Sequence, residues 1–491
     1  MKKFVKAVMV TTILSIITRA LGLILKIYIS REIGAVALGF YQIALSVFFL
    51  LCTLVTSGIP LIISRKIAKD PAKQSSIVFS GLVVSTTISA LVCVFILLCP
   101  QILVKVWKQD ESLSCLLALL PAIIFTALYV PFRGAFWGTK NFFLLGFVEL
   151  LEQVIRFVAC FIMFSIVLPL SGATIAGATY SIACGLSSIV AIIIYFVKGY
   201  KVKPNTKQIL PLIKESAPIA SIRIGSSFVS FAVSLIFPIM LVKSGHTSDE
   251  AVGFFGIVTG MVMPLITIPG TLISSISVAL IPEISGKNDA VVRKHINNAL
   301  SFSIMISFLL LPTFITLGKP LGVLLFKSEL AGELLKVGSI LLLPMGISQI
   351  SSSILNAINK ERRGLINYIV GAVLLLASIC ILPKFLGVYS LLAGFLLMSL
   401  SDTLLNLFAF TNHLSSYSLK TLIFSTLFCI PSGLIAHFSY GVLRLILNPI
   451  IALTIASGLS IIFLLVLYQL FHFINIFDYL PERMKLSRIK T

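Results

Sequence analysis

Three cations stand where almost every neighbour is apolar. Arg19 lies in Ile16-Ile17-Thr18-Arg19-Ala20-Leu21-Gly22, Lys26 in Ile24-Leu25-Lys26-Ile27, and Arg223 in Ser221-Ile222-Arg223-Ile224-Gly225. Ammonium and guanidinium groups bind phosphate or carboxylate, and the planar guanidinium can hold a phosphate through two parallel N–H···O bonds. Lys26 follows Arg19 by seven residues, two helical turns, so one helix face presents both. The chemistry these residues offer is an anion site. Snorkelling to an interface, or pairing with a buried acid, is the structural alternative.

Other polar residues are spaced for different roles. Glu149, Glu152, Gln153 and Arg156 fall at i, i+3, i+4 and i+7, one stripe of a helix, and Arg156 can neutralise Glu152 four residues before it. A gating or structural polar seam is the expected use, with Arg31, Arg65 and Glu283 at span ends in the same class. Asp402 and Asn406, also i, i+4, are a candidate ion or proton site. His413, His437 and His472 lie near span ends, where an interfacial role is expected. The eight cysteines form no C-x-x-C pair and lie away from histidines, so they read as small apolar side chains and no metal site is expected.

The elements that carry these residues follow from composition. Of 491 residues, 58% are hydrophobic and only 11% charged, against about a quarter charged in soluble domains. Apolar runs of about 20 residues, each long enough to cross a bilayer core as a helix, recur throughout. That excludes a soluble enzyme, a disordered scaffold and a secreted disulfide framework. The expected fold is an all-α polytopic membrane protein of about fourteen helices: 7–30, 37–63, 76–100, 112–133, 142–167, 171–197, 212–242, 251–278, 295–317, 334–358, 364–383, 386–411, 420–440 and 446–472.

The net charge of +21 would suggest nucleic acid in a soluble chain. Here topology accounts for most of it, and no nucleic-acid partner is expected. With the N-terminus inside, 25 of the 38 basic residues fall in cytoplasmic loops and tails and nine outside, which places both termini in the cytoplasm. The remaining four are Arg19, Lys26, Arg156 and Arg223.

The two halves echo each other. Ala37-Leu38-Gly39-Phe40-Tyr41 corresponds to Ala251-Val252-Gly253-Phe254-Phe255, Gly58-Ile59-Pro60 to Ile268-Pro269-Gly270, and Leu120-Pro121 to Leu343-Pro344. The offset equals six helices, an even number, so the copies share one orientation. Two parallel six-helix bundles around a central cleft are expected, 1–208 and 209–415, with appended helices 13 and 14 in 416–475 and a basic cytoplasmic tail, 476–491. Such repeats support alternating access.

Several motifs resemble the stage V sporulation protein B family. They are Thr18-Arg19-Ala20-Leu21-Gly22, Ser30-Arg31-Glu32-Ile33-Gly34-Ala35, Leu38-Gly39-Phe40-Tyr41-Gln42, Phe132-Arg133-Gly134-Ala135-Phe136-Trp137-Gly138, Glu149-Leu150-Leu151-Glu152-Gln153-Val154-Ile155-Arg156 and Ala279-Leu280-Ile281-Pro282-Glu283-Ile284-Ser285. That family belongs with the oligosaccharidyl-lipid flippases, relatives of lipid II flippases and of MATE (multidrug and toxic compound extrusion) exporters. The resemblance implies an alternating-access flippase, not an enzyme, in a bacterial plasma membrane. Its substrate would be an undecaprenyl-pyrophosphate-linked saccharide, such as peptidoglycan precursor lipid II for spore cortex. The partners implied are that lipid, membrane lipids and cell-wall synthesis enzymes. By the same resemblance, Arg19, Lys26 and Arg223 line a pyrophosphate-binding cavity. The second cavity arginine of lipid II flippases falls on Leu25, with Lys26 adjacent. No nucleotide motif or cofactor is seen, so membrane potential or a cation gradient is the expected drive. A cation-coupled drug exporter, a flippase for another polysaccharide unit and a membrane glycosyltransferase are the alternatives; the last lacks surface acids beyond isolated pairs.

Overall fold

The structure is a computed structural model that describes residues 2–98, 110–166, 169–274, 277 and 288–471. Every regular element among them is helical. Large apolar side chains face outward, with Leu445 81% and Phe385 78% exposed, while 32 polar or charged residues among those described, mostly Ser and Thr, are buried. Exposed aliphatic surface on this scale suits hydrocarbon. Of the cysteines, Cys52, Cys93, Cys115, Cys160 and Cys184 are buried, Cys429 is half-buried and Cys380 is exposed; Cys99 lies outside the described residues.

Two compact units form, Met1–Gly260 and Met261–Thr491. The first contains α1 (Lys2–Thr56), α2 (Ile59–Lys69), α3 (Gln74–Leu98), α4 (Asp110–Gly138), α5 (Phe142–Ser165), α6 (Gly172–Val197), α7 (Ile209–Lys243) and α8 (Ser248–Gly256). Inside α1, Gly34 has φ 74° and ψ −179°, a conformation that a side chain would strain. The chain reverses there. The first half of α1 runs parallel to α5, since a Cβ on Gly146 would meet Leu14 at 2.9 Å and one on Gly22 would meet Gln153 at 3.5 Å. Beyond Gly34 the chain continues into α2, which runs parallel to α4, Ile63 lying on Gly134 and Ile67 on Gly138. Because α4 and α5 are joined by the tight turn at 139–141, they are antiparallel, and so are the two halves of α1.

This reversal reconciles the helix count. Twelve helices among the described residues are long and apolar enough to cross a membrane. The stretch Leu14–Lys69 counts once among them but, with its reversal at Gly34, holds two antiparallel helices. Helix α5 is absent from the twelve because Glu149, Glu152 and Arg156 charge it throughout. Adding both restores the expected fourteen.

Helices α7 and α8 pack on α1, so compactness divides the chain later than the repeat boundary expected at 208/209. Hydroxyl pairs join α1 to α7: Ser46 to Ser234 at 2.5 Å and Thr53 to Ser227 at 2.8 Å. The repeat-related motifs 37–41 and 251–255 turn out to be neighbours. A Cβ on Gly39 would lie 2.1 Å from the Val252 carbonyl oxygen, and one on Gly256 would lie 2.5 Å from that of Ala35. Backbone meets backbone at this crossing.

In the second unit, α9 (Met263–Ile266) precedes the long α10 (Asp289–Phe326). Around α10 pack α11 (Glu329–Gly338), α12 (Leu342–Ala357), α16 (Ser416–Ile446) and α17 (Pro449–Leu470). Helices α13 (Glu361–Ile381) and α15 (Tyr389–Ala409) pair, with α14 (Pro383–Leu386) between them in sequence. Ser432 and Ser460 hydroxyls, 2.7 Å apart, join α16 to α17.

The α1–α8 crossing yields a stability prediction. Gly39→Val forces the backbones apart and costs about 1–3 kcal/mol, read as a lower thermal unfolding midpoint in detergent. Gly225→Ala, in a helix with nothing within 4 Å of the added methyl, leaves the midpoint unchanged or raises it.

Candidate anion site and its polar support

The three cations of the candidate anion site, Arg19, Lys26 and Arg223, belong to the first unit. Arg19 and Lys26 are exposed on the first half of α1, and Arg223 is exposed on α7. Among the described residues none of the three forms a salt bridge. Arg223, Ser226 and Ser230 recur at i, i+3 and i+7, all exposed, so a polar stripe runs along α7. Arg223 stands one turn from Ser227, whose hydroxyl bonds Thr53 of α1.

On α1, Gly22 lies between Arg19 and Lys26 on the same face, and Gln153 of α5 packs beside it. One turn on, Lys26 lies within the electrostatic field of Arg156. Because α1 and α5 run parallel here, the cation stripe of one helix lies beside the polar stripe of the other.

That polar stripe is a neutralised seam. Arg133 of α4 pairs with Glu149 at 2.7 Å, and its guanidinium carbon sits 5.9 Å from the Trp137 ring. Arg156 donates to the Tyr41 hydroxyl and lies 4.5 Å over the Tyr180 ring, while its buried Nε has no partner among the described residues. Glu152 lies in the fields of Arg156 and Arg133, with the Cys184 thiol beside it. Four elements, α1, α4, α5 and α6, thus meet on charged and aromatic side chains.

Of the other sequence candidates, Arg65 and Arg31 are exposed, and Glu283 lies outside the described residues. Next to Arg65, Lys66 pairs with Glu215 at 2.8 Å and reaches Gln208 at 3.5 Å. The Asp402 and Asn406 pair sits in the second unit. Asn406 is fully used: its Nδ2 donates to Ser351 and Ser352 at 3.1 and 3.2 Å, and its Oδ1 accepts from Asn367 at 2.8 Å. Asp402 is buried, with Oδ1 unpartnered among the described residues.

Sequence reasoning missed Tyr41, Tyr180, Gln153 as a neighbour of Gly22, and Glu215. Tyr41 stood in a quoted motif, but nothing in linear spacing joins it to a residue 115 positions away. The seam generates a coupling prediction. Arg156→Met and Glu152→Gln each lower stability, and the double variant loses less than the sum, by about 0.5–3 kcal/mol in a double-mutant cycle of detergent unfolding.

Comparison with known proteins adds to this geometry. The family model described as polysaccharide biosynthesis protein matches residues 4–287. The stage V sporulation protein B of Bacillus subtilis (strain 168) is 25% identical over 391 residues, covering 75% of this chain and 76% of that protein, which bears out the resemblance carried by the motifs. Among solved structures, a lipid II flippase MurJ in an inward closed conformation superposes with a TM-score of 0.74 at 16% identity, covering 94% of this chain and 99% of that one. An inward-facing MATE family multidrug resistance transporter gives 0.64 at 15% identity, covering 81% and 93%. The all-α membrane fold is therefore shared with flippases and exporters alike, and the family match spans more than half of the chain: it belongs to the polysaccharide biosynthesis protein family.

Proposed function

We propose that the protein is a flippase that moves an undecaprenyl-pyrophosphate-linked saccharide from the inner to the outer leaflet. The substrate is a peptidoglycan precursor of the lipid II kind, in the service of spore cortex synthesis. The observation that carries this reading is the trio Arg19, Lys26 and Arg223: exposed cations without salt-bridge partners, at membrane depth, in one compact unit. An ionisable group in hydrocarbon costs about 3 kcal/mol or more, so such groups face water or a ligand. Two arginines suit the doubly anionic bridge between a polyprenyl chain and a sugar. Sugar hydroxyls need a wet path, while the polyprenyl tail stays in lipid.

In this mechanism Arg19 and Lys26 take the pyrophosphate from one side of the membrane, and Arg223 shares it as the site becomes open to the other. The Arg156–Tyr41 hydrogen bond holds α5 against α1 and the Arg133–Glu149 pair holds it against α4, keeping the cation stripe in register. With both termini in the cytoplasm, an inside-negative potential favours export of an anionic headgroup by about 2.3 kcal/mol per charge per 100 mV. The name of the lipid II flippase relative agrees with this substrate class, and that of the sporulation protein with the process.

Reconstituted vesicles with defined lipid-linked saccharides test it. Arg19→Ala and Arg223→Ala each lower leaflet exchange about tenfold or more, as expected for a lost charge-assisted contact, and Arg19→Lys keeps part of it. Exchange by both alanine variants at the parent rate would sink the assignment.

A second reading, a cation-coupled multidrug exporter, is favoured by one observation: the buried, unpartnered Oδ1 of Asp402. On this reading Asp402→Asn abolishes coupling to a cation gradient while cell-wall synthesis stays intact. On the flippase reading driven by membrane potential, the same variant exchanges lipid normally.

A further inference from the structure

The second unit contains a groove of about 460 Å³ at the end where α10 and α16 begin. Its mouth carries Arg293 and Ser416, and its floor is apolar, formed by Leu300, Ile304 and Leu422. The groove walls are pinned. Asn297 donates to the carbonyls of Arg293 (2.6 Å) and His413 (2.8 Å), and accepts from the Ser415 amide (2.9 Å) and the Ser418 hydroxyl (3.2 Å). One guanidinium nitrogen of Arg293 donates to the Leu414 carbonyl at 2.9 Å, which leaves most of its five N–H donors free to face outward.

This end of the unit is strongly basic. Helices α10, α13 and α16 start here and α12 and α15 finish here, so Lys294, Lys360, Arg362, Arg363 and Lys420 share the level of Arg293. Among the described residues the acids at the same level are Asp289 and Glu361. From Arg293 the floor extends eleven residues to Ile304, about 16 Å of helix, comparable to the reach of a fatty acyl chain.

In a bilayer, lipid chains fill an apolar groove that opens to the hydrocarbon, and the charge at the mouth selects the headgroup. We propose that this groove is a binding site for one anionic diacyl phospholipid. Its phosphate sits on Arg293 and the Ser416 hydroxyl, and one acyl chain lies along Leu300, Ile304 and Leu422. Basic residues near the membrane surface attract anionic lipid. The bound lipid bridges α10 and α16, one of the contacts through which the last two helices join the unit. This site is separate from the cations of α1 and α7 and does not depend on the proposed transport activity.

The test is native mass spectrometry of the delipidated full chain, titrated with phosphatidylglycerol and phosphatidylcholine of matched acyl chains. One phosphatidylglycerol is retained under conditions that strip phosphatidylcholine. Arg293→Ala weakens its retention about tenfold. Arg362→Ala, the same charge change outside the groove, does not. Leu419→Trp, at an exposed lining position, fills the groove and removes the bound lipid; should Arg293→Ala fail to fold, this variant decides. Equal retention of the two lipids, or retention unaffected by filling the groove, overturns the proposal. So does displacement of phosphatidylglycerol by an equal concentration of undecaprenyl phosphate, which would assign the groove to a polyprenyl chain.

Discussion

The absence of water from the bilayer core governs this molecule. Backbone groups must bond within their own segment, which accounts for a fold made of helices. Charged side chains must find a partner or a wet surface. The first unit meets the second demand in two ways. Along α5, Glu149 pairs with Arg133 of α4, and Arg156 lies in the field of Glu152 and donates to Tyr41. Along the neighbouring face of α1, cations stay without acids.

The two stripes lie side by side because of small residues. Gly34 turns the chain so that the two halves of α1 run antiparallel, and Gln153 packs beside Gly22 on the face that bears Arg19 and Lys26. Gly39 and Gly256 bring α1 and α8 to backbone contact. Association of helices in lipid gains little from the hydrophobic effect, since tails are as apolar as leucine; close packing and buried hydroxyl bonds supply it instead. The Ser46–Ser234, Thr53–Ser227 and Ser432–Ser460 pairs are of that kind.

The second unit handles polarity differently. Asn297 and Asn406 each spend both ends of the amide on neighbouring segments, tying loop to helix and helix to helix. Asp402 departs from this thrift, with an oxygen that nothing described satisfies. A buried polar atom in that condition is uncommon, and it sets the two readings of the chain's energy source apart.

Composition, hydrophobic run length and loop charge were enough to read a polytopic helical protein, its crossings and its three anomalous cations, because these depend on local residue type and on transfer to hydrocarbon. The stripe from Glu149 to Arg156 was legible for the same reason: helical spacing is a local property. What the seam is attached to was not. Tyr41, Tyr180 and Arg133 come from three other helices, and the pairing of Lys66 with Glu215 spans a long loop of sequence. Likewise, the repeated glycine motifs read as copies of each other, while only their packing shows that they touch. Such contacts follow from how helices cross, which is fixed by side-chain shape summed over many residues far apart in the chain.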